Sequence, residues 1–447
     1  MDFFKRLKDR VDSVGSRLCV GIDPHYYLTS PESLVSWSMD LAEKTVANAA
    51  CFKINTAFFE AYGPNGMRAM EDVVNKLNDM APVILDAKRG DIPSTAEAYA
   101  RSVHRLNCDC ITLNPFIGMD SIEPYLEYLD QGVFLLCRTS NMGADQFQKE
   151  VSLKIAKYSA KHTESDRIGL VVGATQHEVM SSIRSVAPFN WFLCPGIGKQ
   201  NGSLDKTLHN GWGLSGNILI SSSRSIAESQ DPSLFTLRLK NELQLSSLFV
   251  PPPLRELARL LIDTRCVVFG DYRLKSGDSS PFYVDLRRLT GHPRAFRMAI
   301  DALSAWTTHL KPQALSAIPM GGLPLASAVS NQTMMPMCYL RDPKGYGARN
   351  TIEGGIIKGS RLLLIDDVIT KGTSATSALS KLQDYKVKEM LVLVDRENTG
   401  EKILSDHGVK LHSVFQMESL LWFWYTENLI EQGNFHRALD HIQRSRQ

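Results

Sequence analysis

The sequence carries almost no net charge, since 50 lysine and arginine residues face 48 aspartate and glutamate residues among 447. This balance gives no electrostatic reason to expect binding to nucleic acid or to an anionic membrane. We therefore expect the important basic residues to act locally, on small anions. The sequence also lacks low-complexity tracts, short repeats and any apolar run that approaches the length of a membrane span.

The eight cysteines are scattered, and several lie inside apolar runs, which is typical of buried thiols in a reducing cytosol. Cys108 and Cys110 have no second pair at zinc-binding spacing, so we expect no metal there. No secretory signal is visible, because residues 1–14 have the spacing of an amphipathic helix. The predicted location is cytoplasmic.

The composition changes near residues 227–253, where a polar stretch, a short helical stretch and the prolines 251–253 follow one another. This pattern predicts a first domain over 1–227, a linker helix with a proline-rich spacer over 228–254, and a second domain over 255–447. A first domain of that length can be one barrel.

Short apolar strands alternate with helical patterns through the first domain. The predicted strands cover 18–22, 51–54, 83–85, 110–113, 133–137, 169–172, 191–193 and 218–221. Eight such units favour a closed parallel (β/α)8 TIM barrel, whose chemistry lies at the carboxyl ends of its strands. Polar residues stand at several of these ends: Asp23, Lys53, Asp86, Asn114, Ser140 and Arg224.

The second domain has fewer predicted strands, at 315–318, 335–340, 362–365, 390–394 and 411–415. Helical patterns such as 295–309 and 374–383 separate them. This order predicts an open, doubly wound α/β sheet with its ligand at the strand ends.

The most informative segment is 362–374. Four apolar residues predict a buried strand that ends at Asp366 and Asp367, and a compact loop and a helix follow. Backbone N–H groups, hydroxyls and a helix N-terminus favour a phosphate in such a loop. The acidic pair suits ribose hydroxyls or a Mg²⁺ that carries a polyphosphate. The alternative is an ordinary acidic turn between a strand and a helix.

This segment resembles the phosphoribosyl pyrophosphate (PRPP) motif of type I phosphoribosyltransferases. The resemblance implies that Asp366 and Asp367 orient the ribose. It also implies Mg²⁺ as the cofactor of this half, held mainly by PRPP and not by direct protein ligands. The residues implied to hold the 5′-phosphate are Thr370, Lys371, Gly372, Thr373 and Ser374.

A second cluster combines Asp86, Lys88 and Asp91 with the earlier Lys53. In extended geometry Asp86 and Lys88 face the same side of a strand. Alternating acid and base keeps each group charged in a site closed from water, and presents fixed charge to a substrate. The alternative is a solvated salt-bridge network on a loop.

The D-x-K-x-x-D pattern of this cluster resembles the orotidine 5′-monophosphate (OMP) decarboxylase family. The resemblance implies a decarboxylation without a cofactor, in which Lys88 protonates the developing carbanion and Asp86 lies against the leaving carboxylate. Lys53 would hold the network and touch the ribose. Asp91 and Thr95 would reach into the site of a partner subunit, which implies an obligate dimer.

Further matches to this family extend over the barrel. They imply that Asp23 contacts the ribose and Ser140 the pyrimidine edge. Phosphate is expected after the seventh and eighth strands, where glycines let backbone amides approach and an arginine can grip an anion. The residues assigned there are Gly196, Gln200, Ser223 and Arg224. The alternatives are a plain turn and a surface ion pair.

The segment 272–285 resembles the L-K-S-G-x-x-S-P signature of orotate phosphoribosyltransferases. Lys275 can meet an anion there, and Phe282 or Tyr283 can stack on a flat ring. The alternative is an aromatic core strand after a turn. Downstream, 319–326 resembles the pyrophosphate-binding loop of the family.

The glycine-rich, basic segment 341–355 resembles a mobile lid over pyrophosphate, with Arg341 binding and Lys344 catalytic. The sequence departs from the family here, since Asp342 stands where a second lysine is usual. Arg396 matches the arginine near the orotate carboxylate, and its alternative is an exposed charge at a strand end.

The two resemblances cover nearly the whole chain and imply the bifunctional uridine 5′-monophosphate (UMP) synthases in the order decarboxylase first. Orotate and PRPP would give OMP and pyrophosphate, and OMP would then give UMP and CO₂. We expect a homodimer or tetramer with shared sites, and neither nucleic acid nor membrane as partner. The alternative is a sugar-phosphate keto-acid decarboxylase or aldolase-type barrel fused to a PRPP-sensing module, which leaves Ser140 and the orotate-type segment unexplained.

Overall fold

The computed structural model describes residues 2–24, 30–198, 202–244, 248–273, 277, 279–341, 351–397 and 399–445. The chain forms two compact units, one of Met1–Ser247 with Pro251–Pro253 and one of Leu248–Val250 with Leu254–Gln447. Within the described ranges, no helix is both long enough and apolar enough to cross a membrane. All eight cysteines are buried free thiols, as predicted.

The first unit is a closed barrel of eight parallel strands in sequential order, and β1 pairs with β8 to close it. The strands are β1 (Leu18–Ile22), β2 (Cys51–Asn55), β3 (Val83–Arg89), β4 (Cys110–Leu113), β5 (Gly132–Arg138), β6 (Ile168–Val172), β7 (Phe192–Pro195) and β8 (Ile218–Ser222). Because both faces of such strands are covered, they are apolar along most of their length. The predicted TIM barrel is confirmed.

Helices separate these strands. They are α1 (Phe3–Val14), α2 (Pro31–Thr45), α3 (Thr56–Glu60), α4 (Gly63–Asn78), α5 (Pro93–Arg105), α6 (Glu123–Leu126), α7 (Gln148–Lys161), α8 (His177–Val186), α9 (Leu204–Gly211), α10 (Arg224–Ala227) and α11 (Pro232–Gln244). Short 3₁₀ helices cover Val46–Asn48, Pro115–Ile117, Met119–Ser121, Met142–Gln146 and Ser165–Arg167. Helix α11 packs against α2 and β1 of the barrel.

Helix α1 closes the amino-terminal end of the barrel. Asp2 caps the helix by accepting a hydrogen bond from the Phe4 amide, and its apolar stripe turns inward. Phe3 and Phe4 pack edge-to-face on Phe134, and Phe4 also stacks on Trp191. This aromatic cluster fills one end of the barrel core, so the opposite end remains for a site.

The second unit has a six-stranded sheet in the order β13-β12-β11-β14-β15-β16 and a two-stranded sheet, β10-β9. Its strands are β9 (Val267–Arg273), β10 (Ser279–Val284), β11 (Ala314–Ala317), β12 (Met337–Leu340), β13 (Ile352–Glu353), β14 (Arg361–Ile369), β15 (Lys386–Asp395) and β16 (Lys410–Gln416). All pairs in the larger sheet are parallel except β12 with β13. The predicted doubly wound α/β domain is confirmed.

The helices of this unit are α12 (Arg255–Asp263), α13 (Pro293–Leu310), α14 (Gly322–Thr333), α15 (Thr373–Lys381), α16 (Gly400–Asp406), α17 (Met417–Thr426) and α18 (Gln432–Ser445), with a 3₁₀ helix at Leu286–Gly291. The apolar start of β14 lies in the core between α15 and its neighbouring strands. This packing sets the position of the residues at the carboxyl end of β14.

Candidate active sites

The carboxyl ends of the barrel strands enclose a cavity of about 620 Å³. Its walls come from loops and strand ends throughout the barrel, as expected for this fold. The predicted residues that line it are Asp23, Lys53, Asp86, Lys88, Ser140, Gly196, Ser223 and Arg224. Residues that are far apart in the sequence therefore share one space.

Asp86 is held between two lysines on the cavity wall. Its Oδ2 accepts from Lys53 Nζ at 2.9 Å, and its Oδ1 accepts from Lys88 Nζ at 2.6 Å. Burial alone would raise the pKa of Asp86, but the ammonium groups of Lys53 and Lys88 lower it well below its ordinary value. Burial would likewise lower the pKa of Lys53, but Asp86 and Asp23 raise it. Within the Lys53–Asp86–Lys88 triad, Lys53 and Asp86 are therefore both charged at neutral pH.

The backbone at Lys88 differs from the extended geometry that the sequence argument assumed. Its φ is +48°, and the pairing of β3 with β4 shifts between Leu85 and Arg89. A bulge of this kind redirects a side chain. Lys88 and Asp86 do meet, as predicted, but the alternation of a regular strand is the wrong reason.

The cavity wall also contains buried polar atoms that lack a partner among the described residues, Asp23 Oδ1 and Ser223 Oγ. Such atoms are costly unless a ligand or water satisfies them. Gly21 is required beside them, since a Cβ there would lie 2.6 Å from Ser223 Cβ. Arg224 begins the short helix α10 at the same rim. Gln200, also predicted here, lies outside the described residues.

Three predicted positions are not among the residues that line the cavity. Asp91 accepts a hydrogen bond from the Ile92 amide at 2.8 Å, and Thr95 lies in the first turn of α5. Asn114 directly follows the carboxyl end of β4, where the sequence analysis places it. There it caps a 3₁₀ turn by accepting from the Phe116 amide, which is a local role that asparagine commonly takes.

The acidic pair of the second unit lies within strand β14, which continues to Ile369 instead of ending at Asp366 as predicted. The strand continues because its backbone pairs with β15 as far as Asp395. Burial and the neighbouring Asp367 raise the pKa of Asp366. After the strand, Gly372 takes a left-handed conformation, with φ +69°, and helix α15 begins at Thr373. The predicted loop from Thr370 to Ser374, including Lys371, therefore leads from the acidic pair into a helix N-terminus.

The predicted pyrophosphate loop lies against this pair. A Cβ added to Gly321 would stand 2.4 Å from the Asp367 carboxylate, and one on Gly322 would stand 2.6 Å from the Ile365 carbonyl oxygen. Only glycine permits such close contact without displacing its neighbours. The structure thus brings together the segments at 319–326 and 362–374, which the sequence analysis treated separately.

The aromatic segment divides its residues between the two faces of β10. Phe282 is fully buried, with the Arg396 guanidinium 5.0 Å from its ring centroid, so it is a core residue and the prediction that it could stack on a ligand is wrong. Tyr283 points the other way and is 38% exposed. The two-residue period of a strand separates them. Arg396 itself is buried and donates to Ser280 Oγ at 2.8 Å, so its exposed alternative is also wrong.

The lid segment is described only at its edges. Arg341 follows β12 and forms an ion pair with Glu353 of β13, with Nε and Oε1 2.6 Å apart. Lys344 and Asp342 lie outside the described residues, as does Lys275.

Comparisons with known proteins cover both units. The model of the orotidine 5′-phosphate decarboxylase / HUMPS family matches residues 16–234, and the phosphoribosyl transferase domain model matches residues 290–413. The bifunctional enzyme PyrF/PyrE of Nostoc sp. is 28% identical over 457 residues, covering 94% of this chain and 96% of that protein. The orotidine 5′-phosphate decarboxylase of Dehalococcoides mccartyi is 39% identical over 248 residues, covering 53% and 92%.

The solved structure of Leishmania donovani UMP synthase matches over 99% of this chain and 100% of that chain, with 35% identity and a TM-score of 0.64. The chain belongs to the UMP synthase family. It is a bifunctional enzyme of pyrimidine synthesis, with a decarboxylase domain before a phosphoribosyltransferase domain. The family match favours this predicted function over the keto-acid decarboxylase fused to a sensing module.

Part of the barrel cavity was not anticipated from the sequence. Its wall also contains polar side chains and apolar ones that no pattern had singled out: Asn55, Phe58, Thr112, Leu136, Thr139, Asn141, Val171 and Leu193. Some of these could have been found, since Asn55, Thr139 and Asn141 flank predicted residues at strand ends. Thr112 had no such signal, because it lies inside an apolar strand.

Proposed function

We propose that the barrel cavity is where OMP loses CO₂, and that the carboxyl end of β14 is where orotate and PRPP are joined to form OMP. The observation that carries the first assignment is the carboxylate of Asp86, buried between two ammonium groups on the wall of a cavity large enough for a nucleotide. The product of the second unit is then the substrate of the first.

The triad supplies what this decarboxylation needs. The bond between the pyrimidine ring and its carboxylate breaks, the electron pair stays on the ring carbon, and CO₂ leaves. Lys88 donates a proton to that carbon. Its ammonium has three N–H donors, of which Asp86 needs one, and its side chain is 46% exposed, so a substrate in the cavity can reach it. Asp86 disfavours the neighbouring substrate carboxylate by repulsion and holds Lys88 in place, and Lys53 keeps Asp86 ionised. The charges are fixed before the substrate arrives, so little reorganisation is required.

The rest of the cavity orients the nucleotide in this proposal. The unsatisfied Asp23 Oδ1 accepts from a ribose hydroxyl, and Ser140 contacts the pyrimidine edge. Ser223, Arg224 and the backbone at Gly196 bind the phosphate, because an arginine fork and open amides suit a dianion. Gln200 belongs to the same phosphate group by its place in the sequence.

In the second unit, Asp366 and Asp367 orient the ribose of PRPP, and the loop from Thr370 to Ser374 holds its 5′-phosphate at the N-terminus of α15. Two adjacent carboxylates fit a Mg²⁺ that PRPP carries, because Mg²⁺ is commonly bound by one or two carboxylates together with substrate phosphates. Bound in this way, Mg²⁺ lowers the charge of the leaving pyrophosphate. By the family resemblance, Arg396 and Tyr283 contact orotate and Arg341 contacts pyrophosphate. Lys275 is assigned to orotate and Lys344 to pyrophosphate by their place in the sequence alone.

We also propose that the chain works in the cytoplasm as a homodimer or tetramer. Asp91 and Thr95 are not among the residues that line the barrel cavity described above, and the family resemblance assigns them to the site of a partner.

Two substitutions test the assignment of separate sites. Lys88→Ala is expected to abolish decarboxylation of OMP and to leave OMP formation unchanged, whereas Asp367→Ala is expected to do the reverse. Absorbance assays with orotate plus PRPP, and separately with OMP, measure each activity on the full chain. Loss of both activities in either folded variant would contradict two independent sites.

A further inference from the structure

Thr112 is a buried threonine on β4 that the proposed mechanism does not use. It is 1% exposed, and it lines the cavity directly beside the triad. Its hydroxyl donates to Asp86 Oδ1 at 2.9 Å and accepts from the Lys88 backbone N–H at 3.0 Å. One hydroxyl therefore contacts both the carboxylate and the backbone of the lysine that the carboxylate holds.

The second of these bonds compensates for a break in the barrel ladder. The pairing of β3 with β4 passes from Leu85 with Ile111 directly to Arg89 with Leu113. Three residues of β3, 86–88, therefore lie opposite the single residue 112. In such a bulge the regular ladder is interrupted, and backbone groups need other partners. The side chain of Thr112 is the partner of the Lys88 amide.

The first bond fixes the carboxylate. Asp86 Oδ1 accepts from both Lys88 Nζ and Thr112 Oγ1, while Oδ2 accepts from Lys53. A carboxylate with donors on both oxygens has little rotational freedom. Threonine suits this place because its branched Cβ restricts χ1, so the hydroxyl is already oriented.

We infer that Thr112 is a positioning residue of the decarboxylase, which holds Asp86 and the left-handed backbone at Lys88 in the geometry for proton transfer. This inference rests on the proposed function of the cavity. Thr112 acts through Asp86 and Lys88, so its loss should slow the chemical step and leave the ribose and phosphate contacts intact.

The test compares Thr112→Val, which keeps the shape but removes the hydroxyl, with Thr112→Ser, which keeps the hydroxyl. For Thr112→Val we expect kcat for OMP to fall about 10- to 100-fold, as small misplacements of reacting groups do, with KM changed less than about threefold. Thr112→Ser should remain within about fivefold of the parent kcat. The rate of OMP formation by the same chains should not change, which shows that the transferase unit is intact, and the nearly unchanged KM for OMP reports that the barrel still binds its substrate.

Thr45→Val is the matched control, because Thr45 is also fully buried in the barrel unit but its hydroxyl bonds only to carbonyls of its own helix. It should leave both activities unchanged. If Thr112→Val does not give a folded barrel, Thr112→Cys replaces it, since a thiol is only a weak donor. Its kcat should then fall below that of Thr112→Ser.

Two results would overturn the inference: a parent-like kcat for Thr112→Val, or an equal loss in Thr112→Ser and Thr112→Val. The proposed function has a separate test in the same assay. If Lys88→Ala retains decarboxylation, the site assignment itself fails. If Lys88→Ala is inactive while Thr112→Val is normal, only the positioning role is refuted.

Discussion

Replacing Lys53 with methionine should destabilise the barrel through the carboxylate that it leaves behind. Lys53 and Asp86 are separated by 2.9 Å, and their side chains are only 8% and 11% exposed. Removing one partner of a buried ion pair costs about 3–5 kcal/mol, because the other charge remains out of water. Asp86 keeps Lys88 and Thr112 as partners, so we expect the lower end of that range for the loss in unfolding free energy.

An exposed pair in the same unit provides the control. Lys44 and Asp40 are 2.6 Å apart, but their side chains are 49% and 60% exposed. Such a pair contributes about 0–1 kcal/mol, so Lys44→Met should have little effect. The two N–O distances are similar, so burial accounts for the difference between the two variants.

Hydrogen exchange in increasing urea, read by mass spectrometry, measures the unfolding free energy of each unit in the full chain. Peptides from 16–227 should lose protection in Lys53→Met, and peptides from 290–413 should not. Adding Asp86→Asn removes the uncompensated charge and should recover at least half of the loss. The reasoning is refuted if Lys53→Met destabilises the barrel no more than Lys44→Met.

The effect should also depend on pH in a defined direction. The pKa of Asp86 is lowered in the folded parent, so its contribution to stability is complete above its unfolded pKa of about 4 and is lost as pH falls further. Without Lys53, the folded pKa of Asp86 is higher, and burial disfavours the ionised form. The difference in unfolding free energy between parent and variant should therefore be smaller at pH 4 than at pH 7. A difference that stays constant over this range would contradict the electrostatic explanation.

Three further predictions follow from the two sites. Gly321→Ala should lower kcat/KM for OMP formation about 10- to 100-fold in steady-state assays, because the added Cβ displaces the Asp367 carboxylate. Gly433→Ala is the control and should leave kcat/KM unchanged, because the space around its Cβ is open. Mixing Lys88→Ala subunits with Asp91→Ala subunits should restore some decarboxylation, and no recovery after verified subunit exchange would count against a shared site. EDTA should stop OMP formation but not decarboxylation of added OMP, and a metal-dependent decarboxylation would instead favour keto-acid chemistry in the barrel.

The barrel strands could be predicted because parallel strands that are covered on both faces form apolar runs. The predicted bounds of β1 and β4 agree with the structure at both ends. The hairpin of β9 and β10 was missed because few of its residues are buried and because β9 includes polar side chains such as Asp271. A search for apolar runs does not detect such strands.

The carboxyl ends of strands were harder to predict where they carry the charged residues of the candidate sites. Strands β3 and β14 continue through their charged residues, to Arg89 and Ile369, because backbone pairing does not depend on apolar side chains. The close contact of Asp86 with Lys88 depends on a bulge, and the role of Thr112 depends on the register beside it. No local pattern specifies either feature, because both arise from the pairing of neighbouring strands.

The aromatic cluster that α1 forms with Phe134 and Trp191 fills the amino-terminal end of the barrel, so among the described residues the cavity opens at the other end. For the decarboxylation site proposed above, OMP, UMP and CO₂ all pass through the mouth at the carboxyl ends of the strands. UMP bound there by its phosphate would then stand between CO₂ and the solvent. Release of both products therefore depends on the same opening. Substitutions of residues at this rim should change the rate of product release, and with it kcat, even when the rate of C–C bond cleavage is unchanged.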